Sequence, residues 1–485
     1  MLGSWMDRLS ALDAEFLHLE DGIVHLHIGG VSVFEGPPPP PGGVERLLAA
    51  KLHRIPRYRQ RVRFVPLELG RPVWVDDPHF NLAYHVRRTA LPAPGGDAEL
   101  CRLMARLMSQ RLDRERPLWE TWVVEGLAED RWAIISKVHH CMVDGISGVD
   151  LLTVLLDVEH DVDLPEPEPW TPAPEPSALG KVCDAWCGLA GDLAEVTKRA
   201  PAALRDWAGT MRAARHTGEG LVRFGRHLAG TAPLTIEGRI GPHRVWAHAT
   251  ATIADIRTIR GAFGGTLNDT VLAAVAGGYR TLLSSRGEDA DDAIVRTLVP
   301  VSRRSAESRG ELDNQVSAML LELPVHIADP LARLRSVREQ MQELKGSHMA
   351  EAGGIVTDMG NLAPPMLVGT VARLATRLLH RLPQRSVNTV TTNVPGPQFP
   401  LFCLGRQMID YYPFVPIMHG VRIGTAILSY NGKLAFGVTG DFDTAPDVHV
   451  LATAIARGID ELRDLAMLER AQPTPLVTPT TRGTR

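Results

Sequence analysis

Disulfide chemistry has little to build on in this chain. Its five cysteines (Cys101, Cys141, Cys183, Cys187 and Cys403) are few for 485 residues and odd in number, which fits a reducing compartment better than a disulfide framework. Cys183 and Cys187 stand four apart on one face of an expected helix, but no second Cys or His pair completes a zinc site, so they are expected to be small packing residues. Charge of one sign is missing too. A net charge of -4 with a pI near 6.5 gives no whole-chain reason to expect nucleic acid, and any charge argument has to be local. No uncharged apolar run is long enough to cross a bilayer. Residues 1–16 carry acids and helical spacing rather than a basic start and an apolar run, so no secretory signal is expected. These absences lead to the expectation of a cytoplasmic protein whose contact with lipid, if any, is peripheral.

What is present is enough apolar residue to fill two large domains or three small ones. Residues 1–160 mix strand and helix signals. Short strands are expected near Val31-Phe34 and Val73-Val75, and Pro37 to Pro41 make a stiff surface loop. Leu100, Leu103, Met104, Leu107, Met108 and Leu112 recur at helical spacing. A strand pair, Trp119-Glu125 and Trp132-Val138, joined by a turn from Gly126 to Arg131, runs into two histidines. Helical pattern resumes from Ile146 to Val158. Residues 161–178 interleave six prolines with Glu and read as an extended linker. Residues 179–244 read as a helical connector with a basic run between Lys198 and Arg226.

Residues 245–470 form a second mixed region. Strands are expected at Ile294-Val301, Val316-Leu323, Thr389-Val394, Ile423-Tyr430 and Leu434-Thr439, and helices near Asn268-Ser284, Pro330-Lys345 and Asp447-Ala466. Residues 471–485 read as a flexible tail. The fold class is α/β, mixed sheets with flanking helices in two domains.

The chemistry concentrates in His139-His140-Cys141-Met142-Val143-Asp144-Gly145. Consecutive strand residues point to opposite faces, so the two imidazoles cannot both enter one pocket; one suits a base and the other a support. Asp144-Gly145 is a turn signal that would bring the Asp144 carboxylate back towards them. A neutral imidazole can take a proton from an alcohol attacking a carbonyl. The same residues also suit a buried His pair satisfied by Asp144. Zinc is disfavoured, because the pair lacks the i, i+4 spacing of H-E-x-x-H. No G-x-S-x-G elbow or phosphate-binding G-x-x-x-x-G-K loop competes.

The segment matches the H-H-x-x-x-D-G signature and so resembles the CoA-dependent acyltransferases, a superfamily that includes chloramphenicol acetyltransferase and peptide-synthetase condensation domains. Pro117-Leu118-Trp119-Glu120, Asn268-Asp269-Thr270-Val271-Leu272-Ala273 and Thr392-Asn393-Val394-Pro395-Gly396-Pro397 narrow the resemblance. They are similar to the P-L-W, N-D-V-V-L-A and S-N-V-P-G-P elements of the bacterial wax ester synthase/diacylglycerol acyltransferase family. Leu9-Ser10-Ala11-Leu12-Asp13 and Ser429-Tyr430-Asn431-Gly432 also fit, so the resemblance spans nearly the whole chain. Thr392 and Thr270 depart from the family's usual Ser and Val.

The resemblance implies a two-domain, chloramphenicol acetyltransferase-like architecture with the site between the domains. It makes His140 the general base, His139 a supporting residue and Asp144 a structural anchor beside Gly145. Trp119 would line or support the substrate channel, and Asn268 and Asp269 are candidate substrate-binding residues. They open a helix whose apolar face (Val271, Leu272, Val275, Tyr279, Leu282, Leu283) suits a core. Pro395-Gly396 fits a type II turn in which glycine supplies a positive φ. No metal or bound cofactor is implied. Acyl-CoA is the co-substrate, and diacylglycerol or a fatty alcohol the acceptor, met at a membrane or lipid-droplet surface. Met366-Arg385, with Arg373, Arg377 and Arg381 opposite an apolar face, suits either an interfacial helix or an ordinary surface helix. Two other functions share these motifs: carrier-protein-dependent condensation, and lipid-surface binding without turnover.

Overall fold

The structure, a computed structural model, describes residues 6–142, 154–187, 233–302, 316–346 and 387–471. Among these, the first part of the chain supplies strands β1 (His27–Glu35), β2 (Gln60–Arg63), β3 (Val73–Asp76), β4 (Val86–Ala90), β5 (Trp119–Leu127) and β6 (Arg131–His139). Its helices are α1 (Ala11–Leu19), α2 (Gly43–Lys51), α3 (Leu82–His85) and α4 (Asp97–Ser109). The later part supplies β7 (Arg244–Thr252), β8 (Val295–Ser302), β9 (Val316–Leu323), β10 (Thr389–Pro395), β11 (Phe402–Cys403), β12 (Arg406–Phe414), β13 (Ile423–Tyr430) and β14 (Lys433–Asp441). Its helices are α5 (Ile253–Phe263), α6 (Leu267–Ser285), α7 (Pro330–Gly346) and α8 (Val448–Ala471).

These strands form two six-stranded mixed sheets, in the orders β11-β12-β1-β6-β5-β4 and β7-β14-β13-β10-β8-β9, and a small β2-β3 pair. The α/β class with helix-flanked mixed sheets is the one expected. Strand alternation explains the first sheet. Phe34, Trp132 and Val138 pack into one core, while Val31, Val33, Ala133 and Ile135 face the other way onto Leu100, Met104 and Met108 of α4. The second core is built on α6, whose Val271, Leu272, Val275, Tyr279, Leu282 and Leu283 are all buried against the second sheet, α5, α7 and α8. The apolar face expected of that helix is therefore core.

The sheets do not separate at one point in the sequence. β11 and β12, which lie inside the stretch 245–470 assigned to a second domain, complete the first sheet, with β12 antiparallel to β1 (Val31 opposite Tyr412). β12 also lies against β14 of the second sheet. There the approach is so close that a Cβ at Gly437 would stand 1.7 Å from the Pro413 carbonyl oxygen. Arg244, at the start of β7, ties the same seam by donating to the Ile23 carbonyl at 2.6 Å, and its backbone N–H donates to Ser109 Oγ at 2.9 Å.

Residues 161–177 have no regular structure and lie along the β2-β3 hairpin. Glu175 takes Arg61 and Lys181, and Arg59 stacks over Trp170. The expected type II turn at Pro395-Gly396 is not found. Gly396 has no positive φ; glycine is needed because a Cβ would sit 2.1 Å from the Ser429 carbonyl oxygen. The expected helix from Ile146 falls mostly outside the described residues, and the basic run Lys198–Arg226 and Met366–Arg385 fall wholly outside them.

Candidate active site

Strand β6 delivers the histidine pair, and the backbone turns at once into a short 3-10 turn, His140–Met142. The His139 N–H donates to the Leu118 carbonyl at 2.9 Å and the His140 N–H to the Leu26 carbonyl at 2.9 Å, so the pair is clamped between neighbouring segments. As the pleat requires, the side chains part. His139 is buried, 1% exposed, whereas His140 is half-buried. Burial, with a smaller contribution from His139, pushes the His140 imidazole down to about 4, so it is neutral at physiological pH. Its ring lies 4.2 Å from that of Phe16 on α1, and among the described residues its Nδ1 has no hydrogen-bond partner.

Helix α1 packs on the His140 turn. Its start is fixed by Ser10, whose hydroxyl donates to Asp13 Oδ2 at 2.5 Å and accepts from the Asp13 N–H at 3.1 Å. This cap accounts physically for the Leu9–Asp13 motif. At the other end of α1, Glu20 is turned inward. Its Oε2 accepts from Arg114 Nη2 at 2.6 Å and Nε at 3.0 Å. Its Oε1 faces His27 Nε2 at 3.4 Å and His139 Nε2 at 3.6 Å. Burial pushes the Glu20 carboxyl up, but the adjoining His139 and His27 imidazoles outweigh it and hold the group well below the usual carboxylate range. His27 stands opposite His139 in the β1-β6 register and stacks on His25 at 5.6 Å. Among the described residues no cluster of His, Cys, Asp and Glu has metal-binding geometry.

The other expected site residues are dispersed. Asp144 and Gly145 lie outside the described residues. Trp119 lies in the core, closed to solvent, where it can support a channel from behind. It is 1% exposed and stacked between Tyr58 at 4.4 Å and His85 at 4.5 Å, and its Nε1–H donates to the Tyr58 carbonyl at 2.8 Å. Asp269 caps α6, its Oδ2 accepting from the Thr266 N–H at 2.7 Å while its own N–H donates to Thr266 Oγ1 at 3.2 Å. Asn268 is half-buried and accepts from Asn393 Nδ2 at 3.4 Å, which joins the N-D stretch to the N-V-P-G stretch. Glu20, His27, Arg114 and Phe16 were not singled out from sequence. Each is an ordinary residue type outside any motif, and only the β1-β6 register and the position of α1 bring them to the histidines.

Comparison with known proteins then settles the family. Residues 9–271 match the wax ester synthase/diacylglycerol acyltransferase catalytic domain, and residues 312–463 match the C-terminal domain of the same family. The chain is 39% identical over 459 residues to the probable diacylglycerol O-acyltransferase tgs1 of Mycobacterium tuberculosis, covering 94% of this chain and 95% of that one. The chain belongs to the wax ester synthase/diacylglycerol acyltransferase family. It is an acyltransferase. The wax ester synthase/diacylglycerol acyltransferase from Marinobacter aquaeolei shares its structure, with a TM-score of 0.66, 26% identity and coverage of 95% of this chain and 100% of that one. The first condensation domain of the calcium-dependent antibiotic synthetase shares the fold, with a TM-score of 0.56, 17% identity and coverage of 95% and 97%. The architecture expected from the H-H-x-x-x-D-G signature is thus the one observed.

Proposed function

We propose that this family member transfers a long-chain acyl group from CoA to the free hydroxyl of diacylglycerol, forming triacylglycerol, and to long-chain alcohols, forming wax esters. The observation that carries this reading is His140 itself: a neutral, half-buried imidazole on a turn clamped at both backbone N–H groups, with an apolar ring beside it. Neutral His140 takes the hydroxyl proton as the oxygen attacks the thioester carbonyl. The tetrahedral intermediate collapses by breaking the carbon–sulfur bond, and the imidazolium returns the proton to the departing CoA thiolate. Neither a covalent acyl-enzyme nor a bound cofactor is required, and acyl-CoA enters as co-substrate. In the described residues no helix is long and apolar enough to cross a membrane, and the proposal places the enzyme at a membrane or droplet surface through peripheral contact.

The test is release of free CoA thiol by purified protein given palmitoyl-CoA with dioleoylglycerol or with hexadecanol, beside His140→Ala. Acceptor-dependent release in the wild type is expected to fall by about 10²–10⁴-fold in the variant, the usual range for a general base. Release that neither acceptor stimulates, or that the variant retains, sinks the proposal.

A further inference from the structure

Three polar atoms buried behind the His140 turn face one another, and among the described residues none has a hydrogen-bond partner outside the trio: Glu20 Oε1, His27 Nε2 and His139 Nε2. The carboxylate oxygen stands between the two imidazoles, at 3.4 Å and 3.6 Å, and all three side chains are 1–2% exposed. Polar atoms this deep that have only one another to bond at 3.4–3.6 Å are uncommon, and a shared function is one reason for them to persist. The orientation of the carboxylate is not free. Both Arg114 nitrogens hold Oε2, Arg111 approaches the same oxygen at 3.5 Å, and Arg114 Nη2 also donates to the Leu17 carbonyl at 2.9 Å, pinning the end of α1. Oε1 is thereby presented to the imidazoles.

The protonation of His139 follows from its other nitrogen. His139 Nδ1 lies 3.2 Å from the Cys141 N–H, which donates to it, and 3.0 Å from Cys141 Sγ; a nitrogen that accepts a backbone N–H offers a lone pair there, which assigns the ring proton of the neutral imidazole to Nε2. The one acceptor facing that proton among the described groups is Glu20 Oε1, which has a second lone pair for His27. Helix α1 therefore bears on both histidines, Phe16 against His140 and Glu20 behind His139.

We propose that Glu20, held by Arg114, is a positioning residue: it fixes the Nε2–H tautomer of His139 and through it the backbone turn that aims His140. This rests on His140 being the base, but the tautomer itself can be tested without that assumption.

Glu20→Gln separates the roles. A guanidinium has only donors, so Arg114 will take the amide oxygen and turn the amide NH₂ towards the imidazoles. Two donors then oppose each other at His139 Nε2, or the ring proton moves to Nδ1 and opposes the Cys141 N–H. The expected result is a kcat lower by about 10–100-fold, by analogy with the loss seen when a residue that orients a metal-ligating imidazole is removed. KM for palmitoyl-CoA should stay within about twofold, because ground-state binding is untouched. Nitrogen-15 NMR of histidine-labelled protein, with the His139 signal assigned by its loss in His139→Gln, should show Nε2 protonated in the wild type and a changed or averaged tautomer in Glu20→Gln. Glu20→Asp keeps the carboxylate on a shorter arm and should keep the tautomer with an intermediate kcat; it also serves if Glu20→Gln fails to fold by circular dichroism. Wild-type His139 protonated on Nδ1, or Glu20→Gln turning over at the wild-type kcat, or a kcat loss with the tautomer unchanged, overturns the proposal. An active His140→Ala would overturn the functional reading instead and leave the tautomer result standing.

Discussion

The role proposed for His140 needs an imidazole without its proton, and burial supplies that form. With the group held near 4 rather than the ordinary 6.5, initial-rate kcat/KM should stay level as the pH falls from about 7 to about 5 and drop only near 4. An acid limb centred near 6.5 would show that the imidazole is not desolvated. Stability follows the same histidines with a different window. Burial lowers His25 to about 4 and His27 to about 3, so between about pH 6.5 and these values the unfolded chain binds more protons than the folded one. Their contribution is whole above 6.5 and is lost as the pH falls, and the midpoint of thermal unfolding should decline over that interval. Recording it beside the rates separates unfolding from titration of the base. At this scale the candidate base was legible from sequence, since resemblance to the H-H-x-x-x-D-G signature points to His140, but the residues around it were not. Glu20 and His27 are seven residues apart on different elements, and no local pattern links either to His139.

Among the elements, the motif residues divide into those that touch the turn and those that hold the scaffold. The P-L-W tryptophan belongs to the second kind. Trp119→Ala removes a plate packed on both faces and should cost about 3–5 kcal/mol in denaturant unfolding. Trp119→Phe keeps the stacking, loses the hydrogen bond to the Tyr58 carbonyl and should cost about 1 kcal/mol. A Trp119→Ala protein of wild-type stability would mean that the ring is not load-sharing core and would reopen a channel role. The N-D motif is explained in part by the box that Thr266 and Asp269 form at the start of α6, a pattern of T-x-x-D that is visible in sequence. The contact of Asn268 with Asn393 is not visible there, because 125 residues separate them.

For the whole molecule, the decisive feature is that β12 leaves the later part of the chain to complete the first sheet and then rests on β14. The two sheets share this strand as a seam, with His248 of β7 stacked on Tyr412 of β12 at 3.9 Å. Gly437→Ala should therefore destabilise by about 1–3 kcal/mol through overpacking against Pro413. Gly22→Ala, where a Cβ meets nothing within 4 Å, should stay within about 0.5 kcal/mol. Urea midpoints of the two variants test this, and equal midpoints would mean that the seam can open without cost.

Sequence alone determined the fold class, the position of most later strands and helices, and the family, and through the family signature it pointed to His140 as the candidate base, because periodicity, turn chemistry and contiguous motifs are local properties of the chain. It could not determine that β12 pairs with β1, that Gly396 is demanded by a close carbonyl rather than a turn, that Trp119 is sealed in the core, or that Glu20 sits behind His139. Each of those depends on which distant segments become neighbours. That is decided by how the apolar faces of two sheets and α1 can be buried together, and only the folded structure records the outcome.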